Sequence, residues 1–217
     1  MLLMRPPGVY PAQADTFLLI DSLGEERLGP ASRVLDLGTG SGAVAIAAAR
    51  RGARVTAVDV SRRALATAWL NAGLHRRRIS VRRGNLLDPV RDQRFDLVVS
   101  NPPYVPSAGD RLPSRGPARA WDAGPTGRAL VDRICREAPE VLAPGGVLLL
   151  VQSSLCKPSA TCDALERAGL RVRVAARMFQ PFGPVMRARA AWFEDQGLVR
   201  SGERREELVV IRGERGL

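Results

Sequence analysis

The sequence predicts an α/β protein in which short apolar strands alternate with helices along 217 residues. Three observations lead to this prediction. Runs rich in Val, Ile and Leu recur along the chain, segments with helical spacing of apolar residues separate them, and clusters of Gly or Pro mark the turns. The chain shows no linker and no internal repeat, so we expect a single domain over residues 1–217.

The predicted elements follow in order along the chain, beginning with a helix near 14–27. Strands are predicted near 33–37, 54–59, 79–83, 95–100, 146–151, 170–177 and 206–212, and helices near 42–51, 61–72, 126–142, 158–168 and 184–197. Ser61 suits a helix N-cap, and Gly73 and Gly169 suit helix C-caps. Residues 102–125 form a loop rich in Pro and Gly that is too long for a simple connection.

A glycine-rich turn follows the first strand. The run 33–37 leads into Gly38-Thr39-Gly40-Ser41-Gly42 and then into an Ala-rich helix, an arrangement that brings a nucleotide-like ligand to a helix N-terminus. Asp59 ends the next strand, where an acid takes ribose hydroxyls. Asp36 lies two residues before the first glycine, and its carboxylate would repel a pyrophosphate but pair with an ammonium group. The turn therefore favours S-adenosylmethionine over a dinucleotide.

A second turn, Asn101-Pro102-Pro103-Tyr104, comes directly after the strand at 95–100. Its two prolines fix the backbone and donate no N–H, and each keeps the residue before it extended. The side-chain oxygen of Asn101 and the carbonyl of Pro102 are then free acceptors, and Tyr104 adds an aromatic face beside them. Such a turn suits a planar NH2 group, whose delocalised nitrogen needs orientation more than it needs a strong base.

Taken in this order on successive strands, Asp36-Leu-Gly38-Thr-Gly40-Ser-Gly42, Asp59 and Asn101-Pro-Pro-Tyr104 resemble the HemK (PrmC) glutamine-methylating family of class I S-adenosylmethionine-dependent methyltransferases. Segments 9–19 and 120–128 are similar to its short eukaryotic and archaeal branch, which lacks the N-terminal helical domain of the bacterial release-factor enzyme. The resemblance implies an enzyme with a Rossmann-like sheet of seven mostly parallel strands, a terminal antiparallel hairpin and helices on both faces.

The resemblance also implies the site and its cofactor, S-adenosyl-L-methionine. The expected catalytic residues are Asn101, Pro102 and Tyr104. The expected cofactor-binding residues are Thr16, Asp36, Gly38, Thr39, Gly40, Gly42, Asp59, Val60, Asn85, Leu86 and Asn101. The chain departs from the family pattern at Asn85, where the family usually has Asp, and at Ala14, where an acid is frequent.

Substrate contacts are expected from the turn and from the loop 105–126 that follows it, namely from Pro103, Trp121 and Arg128. This loop leaves the carboxyl end of a strand, which is where open α/β sheets bind ligands. The alternative for Trp121 is that its ring only anchors the loop on the core.

The family's usual activity implies N-methylation of a protein glutamine, in a translation release factor or another glutamine-bearing protein. A small activator subunit, as in the eukaryotic branch, is a further implied partner. Three alternatives stay open: methylation of adenine N6 or another nucleic-acid amine, where the same turn also serves, methylation of a small metabolite, and a binding-only protein that has lost activity. The intact motifs argue against the last of these.

Composition sets further bounds. The net charge of +11 invites a nucleic-acid partner, but 32 of the 33 basic residues are Arg, and the runs Arg76-Arg77-Arg78 and Arg82-Arg83 have no interleaved aromatic residue, which favours a solvated face. The three cysteines form no metal-ligand cluster, so no metal is expected. No apolar run is long enough to cross a bilayer, so we expect no membrane partner and a cytoplasmic location.

Two segments are candidates for lids. Residues 9–28 are expected to form an N-terminal helical lid over the cofactor, with Thr16 facing it. Residues 184–198 have Pro at the start, Gly at the end and an apolar stripe of Met186, Ala190 and Phe193. This second helix either covers the substrate pocket or packs at the sheet edge to complete the core.

Overall fold

The computed structural model describes all 217 residues and contains one seven-stranded sheet. The strands are β1 (Arg33–Leu37), β2 (Arg54–Asp59), β3 (Ser80–Arg83), β4 (Phe95–Ser100), β5 (Leu142–Ser153), β6 (Leu170–Pro181) and β7 (Arg205–Arg215). Their spatial order is β3-β2-β1-β4-β5-β7-β6. Neighbours from β3 to β5 pair in parallel, whereas β7 pairs antiparallel with both β5 and β6. The expected mostly parallel sheet with a terminal antiparallel hairpin is therefore confirmed.

Seven helices connect the strands. They are α1 (Ala14–Gly24), α2 (Ala43–Arg50), α3 (Arg62–Leu74), α4 (Ala129–Val141), α5 (Pro158–Arg167), α6 (Pro184–Ala188) and α7 (Ala190–Asp195). Alternate strand residues belong to two separate buried clusters, because successive side chains of a strand point to opposite faces. One cluster includes α4, α5, α6 and α7, and the other includes α1 and α2. Helices thus cover both faces of the sheet.

The predicted helix caps have different outcomes. Ser61 caps α3, since its hydroxyl accepts a hydrogen bond from the Ala64 N–H at 3.3 Å. Gly169 follows α5 with φ +82°, as a C-terminal glycine should. The C-cap predicted at Gly73 is wrong, because α3 continues to Leu74 and the left-handed residue after it is Arg76.

The predicted helix at 184–197 is two short helices instead. Arg189 lies between α6 and α7 with φ −106° and ψ 4°, which interrupts the helical backbone. Met186, Ala190 and Phe193 are nevertheless buried together, and the ring of Phe193 packs edge-on against Phe182 at 6.1 Å. The apolar stripe is confirmed, and it faces the core.

The strand order reverses beside β1, which pairs with β2 on one side and with β4 on the other. The connections after β1 and after β4 therefore diverge, and the carboxyl ends of these strands form the edge of a crevice. This is the edge that carries both turns singled out in the sequence, residues 38–42 and 101–104.

The β3 end of the sheet carries an arginine-rich face, formed by α3, β3 and the connection between them. Its seven arginines are all exposed and none forms a salt bridge: Arg62, Arg63, Arg76, Arg77, Arg78, Arg82 and Arg83. Trp69 is 60% exposed and shares a shallow groove with Arg77 and Arg78. The arginines of the two basic runs are solvent-exposed, as expected, and α3 additionally places Trp69 beside Arg77 and Arg78 from outside the runs.

None of the helices is both long enough and apolar enough to cross a membrane.

Candidate active site

A cavity of about 740 Å³ opens at the carboxyl ends of β1, β2 and β4. Its wall includes most of the residues predicted from the sequence: Thr16, Asp36, Gly38, Thr39, Gly40, Asp59, Val60, Asn85, Leu86, Asn101, Pro102 and Pro103. Segments far apart in the sequence meet here because the strand ends converge at one edge of the sheet.

The glycine-rich turn shapes one wall of the cavity. Gly38 and Gly40 have φ of +72° and +53°, a region that L-residues other than glycine seldom adopt. Gly42 (φ +83°) does not line the cavity; a Cβ there would lie 2.9 Å from the Cα of Ala68 on α3. Gly42 therefore serves the close packing of the turn on α3, while the other two glycines give a ligand access to the backbone.

Asp36 is a buried carboxylate at the end of β1. Its Oδ2 accepts hydrogen bonds from the Thr39 hydroxyl at 2.7 Å and from the Ala45 N–H at 3.0 Å, while Oδ1 has no partner in the chain. Burial raises the pKa of the Asp36 carboxyl to about 7, and the two donors offset part of this effect. A cationic group bound in the cavity would favour the charged form of the Asp36 carboxyl.

Asp59 ends β2 and binds the backbone of the glycine-rich turn and of the segment that leads from β2 into α3. Its Oδ2 accepts from the Gly40 N–H at 3.1 Å, and its Oδ1 accepts from the Ser61 N–H at 2.8 Å. Burial raises the pKa of Asp59, and the hydrogen bonds from the Ser61 and Gly40 N–H groups oppose that shift, followed by the positive charge of Arg119. Each oxygen keeps a second lone pair for a hydroxyl donor in the cavity.

Asn85 and Leu86 form the wall beyond β3. Leu86 has φ +54°, an uncommon conformation for a residue with a branched side chain, and it is buried next to the exposed Asn85. The fixed, apolar surface of Leu86 beside a neutral amide suits a flat ring with a polar edge.

Asn101 lies at the end of β4 and is oriented by α1. Its Nδ2 donates a hydrogen bond to the Thr16 hydroxyl at 3.2 Å, which leaves Oδ1 without a partner in the chain. The carbonyl of Pro102 accepts no hydrogen bond from the chain either. Two neighbouring acceptors thus remain available at the cavity wall, as the sequence predicted.

Besides Gly42, three further predicted site residues do not line the cavity. Tyr104 is 7% exposed and its hydroxyl donates to Asp15 Oδ2 at 2.9 Å, so its ring packs in the core behind the turn. Trp121 packs against the same core cluster, which agrees with its alternative role as an anchor for the loop. The guanidinium of Arg128 is occupied by Asp132, the carbonyls of Cys156 and Lys157, and Thr161, so it is part of the internal framework.

The two candidate lids differ in their relation to the cavity. Val9, Tyr10, Ala12 and Thr16 of the N-terminal segment line it. No residue of 184–198 lines it. That segment reaches the wall indirectly, because Arg189 forms a 2.6 Å ion pair with Asp122, which does line the cavity, and also donates to the Pro106 carbonyl at 3.0 Å.

Several residues of the site were not foreseen in the sequence. Asp122 and Arg133 line the cavity, and the buried Asp15 accepts a hydrogen bond from the partly buried Tyr10 beside Thr16. Arg119 also lines the cavity and belongs to the loop from which substrate contacts were expected. An acid in the first turn of a helix is usually explained by its favourable interaction with the helix dipole. The local sequence therefore does not indicate that Asp15 is buried. Nothing in the sequence distinguishes Arg133, because arginine is common throughout the chain.

The cavity fits S-adenosylmethionine by the chemistry of its walls. It combines a glycine-lined backbone, an unpartnered buried carboxylate oxygen for an ammonium group, a second carboxylate for ribose hydroxyls and an apolar slot for a ring. Together with the strand order, these features define a class I S-adenosylmethionine-dependent methyltransferase.

Comparison with known proteins supports this assignment to the class I methyltransferases. Residues 2–112 match the family model described as "Methyltransferase small domain". The chain is 34% identical over 181 residues to a proposed protein N5-glutamine methyltransferase of Methanocaldococcus jannaschii, covering 83% of this chain and 90% of that one. It is 38% identical to a release factor glutamine methyltransferase of Geobacter sulfurreducens, covering 66% of this chain but only 53% of that protein. The chain thus spans nearly all of the archaeal relative and about half of the bacterial one.

Among solved structures, the Mtq2–Trm112 complex of E. cuniculi, described as responsible for methylating the termination factor eRF1, is similar with a TM-score of 0.66 and 26% identity, covering 96% of this chain and 99% of that one. The chain belongs to the HemK/PrmC family of methyltransferases. It is an enzyme, and its methyl donor is S-adenosylmethionine.

Proposed function

We propose that the enzyme methylates the side-chain nitrogen of a glutamine in a protein, and that this protein is a translation release factor. One observation carries the proposal: Asn101 uses its Nδ2 to bind Thr16, so its Oδ1 is left for the cavity beside the free carbonyl of Pro102. A glutamine amide offers two N–H donors, which match these two acceptors. The names of the archaeal and bacterial relatives supply the substrate class.

The turn would act by orientation. The lone pair of an amide nitrogen is delocalised into its carbonyl, so the nitrogen attacks poorly unless it is held in line with the electrophilic carbon. Acceptors at Asn101 Oδ1 and Pro102 O hold both N–H bonds and increase the electron density on nitrogen. In enzymes, such positioning lowers the activation free energy by an amount on the order of several kcal/mol. The surplus proton then leaves to water.

The cofactor roles proposed for the wall residues follow from their chemistry. S-adenosylmethionine supplies an electrophilic methyl group when it is bound. Asp36 would bind the ammonium group of its methionine part, Asp59 its ribose hydroxyls, and Asn85 with Leu86 its adenine. Gly38, Thr39, Gly40 and Val60 would form the backbone cradle, and Thr16 would close it from α1.

Substitution of Asn101 tests the proposal. The variant Asn101→Ala should lower turnover of the release factor at least about 100-fold while the affinity for S-adenosylmethionine changes less than about threefold, because only substrate orientation is lost. Isothermal titration calorimetry and transfer of labelled methyl groups measure the two quantities. Wild-type turnover in this variant would contradict the proposed role.

The substrate class needs its own experiment. Labelled methyl groups should be transferred to a cell extract, and the labelled product should then be treated separately with protease and with nuclease. Protease-sensitive label supports a protein substrate, whereas nuclease-sensitive label would indicate a nucleic-acid substrate instead.

We also propose that the enzyme acts in the cytoplasm, where release factors work. We further propose that it uses a small activating subunit, since the similar Mtq2 structure is a complex with Trm112.

A further inference from the structure

Asp15 is a buried carboxylate that does not line the cavity, and all its acceptor positions are filled. Its Oδ1 accepts from the Thr16 N–H at 2.6 Å and from the Thr16 hydroxyl at 3.2 Å. Its Oδ2 accepts from the hydroxyls of Tyr10 and Tyr104, each at 2.9 Å. Asp15 therefore cannot serve a ligand directly.

These bonds fix the direction of the hydrogen bond to Asn101. A threonine hydroxyl has a single hydrogen, and a carboxylate can only accept. Because Thr16 gives its hydrogen to Asp15, its oxygen can only accept from Asn101, whose Nδ2 lies 3.2 Å away. The amide of Asn101 must then turn its nitrogen toward Thr16 and its oxygen toward the cavity.

From this geometry we infer that Asp15 is a positioning residue, which acts through Thr16 to keep the acceptor face of Asn101 toward the substrate. The inference rests on the proposed role of Asn101 Oδ1 as an acceptor for the substrate amide. Without the relay the amide could rotate by half a turn and present a donor, which would repel the N–H bonds of the substrate.

The two tyrosines complete the relay. Burial and the nearby charge of Asp15 raise the pKa of Tyr10 and of Tyr104, so both stay protonated and remain donors. A carboxylate this deeply buried needs such donors, since an unpaired one would be strongly destabilising. Tyr104 thereby links the turn 101–104 to α1 through its hydroxyl, and its contribution is to hold Asp15 in place.

The first test compares two substitutions of Thr16 in the full chain. Thr16→Val keeps the side-chain shape but removes the hydroxyl, whereas Thr16→Ser keeps the hydroxyl. At saturating S-adenosylmethionine, we expect Thr16→Val to lower kcat about tenfold or more and Thr16→Ser to lower it less than about threefold. Equal kcat values for these two variants would overturn the inference.

The second test reads the amide of Asn101 directly. In a two-dimensional ¹⁵N–¹H spectrum, the side-chain NH2 signals of Asn101 are identified by their loss in Asn101→Asp. One of these protons should be shifted downfield in the wild type by its bond to Thr16, and it should lose that shift in Thr16→Val but keep it in Thr16→Ser. Unchanged amide signals in Thr16→Val would overturn the inference.

The matched control at Asp15 is Asp15→Asn. The backbone N–H of Thr16 requires an acceptor, so the new amide should turn its oxygen toward Thr16 and its nitrogen toward the tyrosine hydroxyls, which can rotate to accept. The relay then keeps its direction, and kcat should fall less than about fivefold, whereas Asp15→Ala should match Thr16→Val. If Asp15→Ala fails to fold, the Thr16 pair still decides the matter.

These outcomes are separable from those for the proposed function. Loss of turnover in Asn101→Ala together with wild-type kcat in Thr16→Val would reject the relay and keep the proposed reaction. Wild-type turnover in Asn101→Ala would reject the proposed role of Asn101 itself.

Discussion

Folding favours the neutral form of the Asp36 carboxyl, whereas binding of an ammonium group favours its charged form. Its pKa of about 7 in the folded protein lies well above its ordinary value of 3.8, because burial disfavours the charged form. Between these two pH values the folded state holds more protons at this site than the unfolded state does. The contribution of Asp36 to the stability of the ligand-free protein is therefore fully present below pH 3.8 and is lost as the pH rises through about 7.

Replacement of Asp36 by Asn should therefore have opposite effects on stability and on affinity. We expect Asp36→Asn to raise the Tm of the ligand-free protein by several degrees at pH 8 and by less at pH 5, since the amide is not charged at either pH. Differential scanning fluorimetry at the two pH values measures this effect.

Binding of S-adenosylmethionine should show the opposite dependence. The wild-type affinity should weaken by up to about tenfold per pH unit below 7, as Asp36 becomes protonated, whereas Asp36→Asn should bind weakly at every pH. A wild-type affinity that stays constant between pH 5 and pH 8 would show that Asp36 does not pair with the ammonium group.

The sequence predicted the site residues that stand at strand ends. Asp36, Asp59 and Asn101 each follow a recognisable apolar run, and parallel strands bring their carboxyl ends together. Asp15 and Arg133 could not be found in this way, because they lie on the helices α1 and α4 and not at the end of a strand. The direction of a side chain was equally hidden, which is why Tyr104 was expected at the cavity although its hydroxyl points to Asp15.

Glycines of the helical elements illustrate how local context decides the effect of a substitution. Gly42 has φ +83°, and a Cβ there would lie 2.9 Å from both the Cα and the Cβ of Ala68. Gly73 lies within α3 and would place a Cβ in open space. The same change to Ala therefore meets a clash in the first case and none in the second.

We expect Gly42→Ala to reduce the free energy of unfolding by about 2 kcal/mol or more, because of backbone strain and the clash with α3. Gly73→Ala should increase it by about 0.5–1 kcal/mol, since alanine is the better helix former. Urea denaturation of both variants measures the difference, and a loss of stability in Gly73→Ala similar to that in Gly42→Ala would contradict the reasoning.

Most elements were located correctly because their apolar periodicity is strong. β1, β2 and β4 begin and end at the predicted residues. The helix predicted at 184–197 failed in its middle, where Arg189 leaves the helical conformation while its side chain binds Asp122 and the Pro106 carbonyl. A contact with a loop distant in the sequence thus overrode a local pattern that was otherwise helical.

At the scale of the whole molecule, the net charge of +11 is distributed unevenly over the surface. From residue 60 to residue 87 the chain contains seven arginines and no acid, and these arginines form the exposed face of α3, β3 and the connection between them. On β6, at the opposite edge of the sheet, Arg171 and Arg177 pair with Glu214 and Glu207. The positive potential should therefore be strongest at the edge formed by β3.

Heparin provides a probe of this asymmetry. The double variant Arg77→Glu/Arg78→Glu should elute from immobilised heparin at much lower salt than the wild type, because free arginines release counterions when they bind a polyanion. Arg171→Glu/Arg177→Glu changes the net charge by the same amount and should shift the elution less. Equal shifts for the two double variants would show that only the total charge matters.

The position of β7 between β5 and β6 determines the order in which the sheet can form during synthesis on the ribosome. β6 pairs with β7 alone, and β7 is made after it, so the nascent β6 leaves the exit tunnel with no strand to join. The walls of the cavity, in contrast, come entirely from residues 7–133, which emerge much earlier. β6 can therefore pair only after β7 has emerged, and the hairpin of these two strands joins the sheet through the pairing of β7 with β5. We expect the docking of this hairpin on β5 to be the last step in the formation of the sheet, after the residues of the cavity wall have been synthesised.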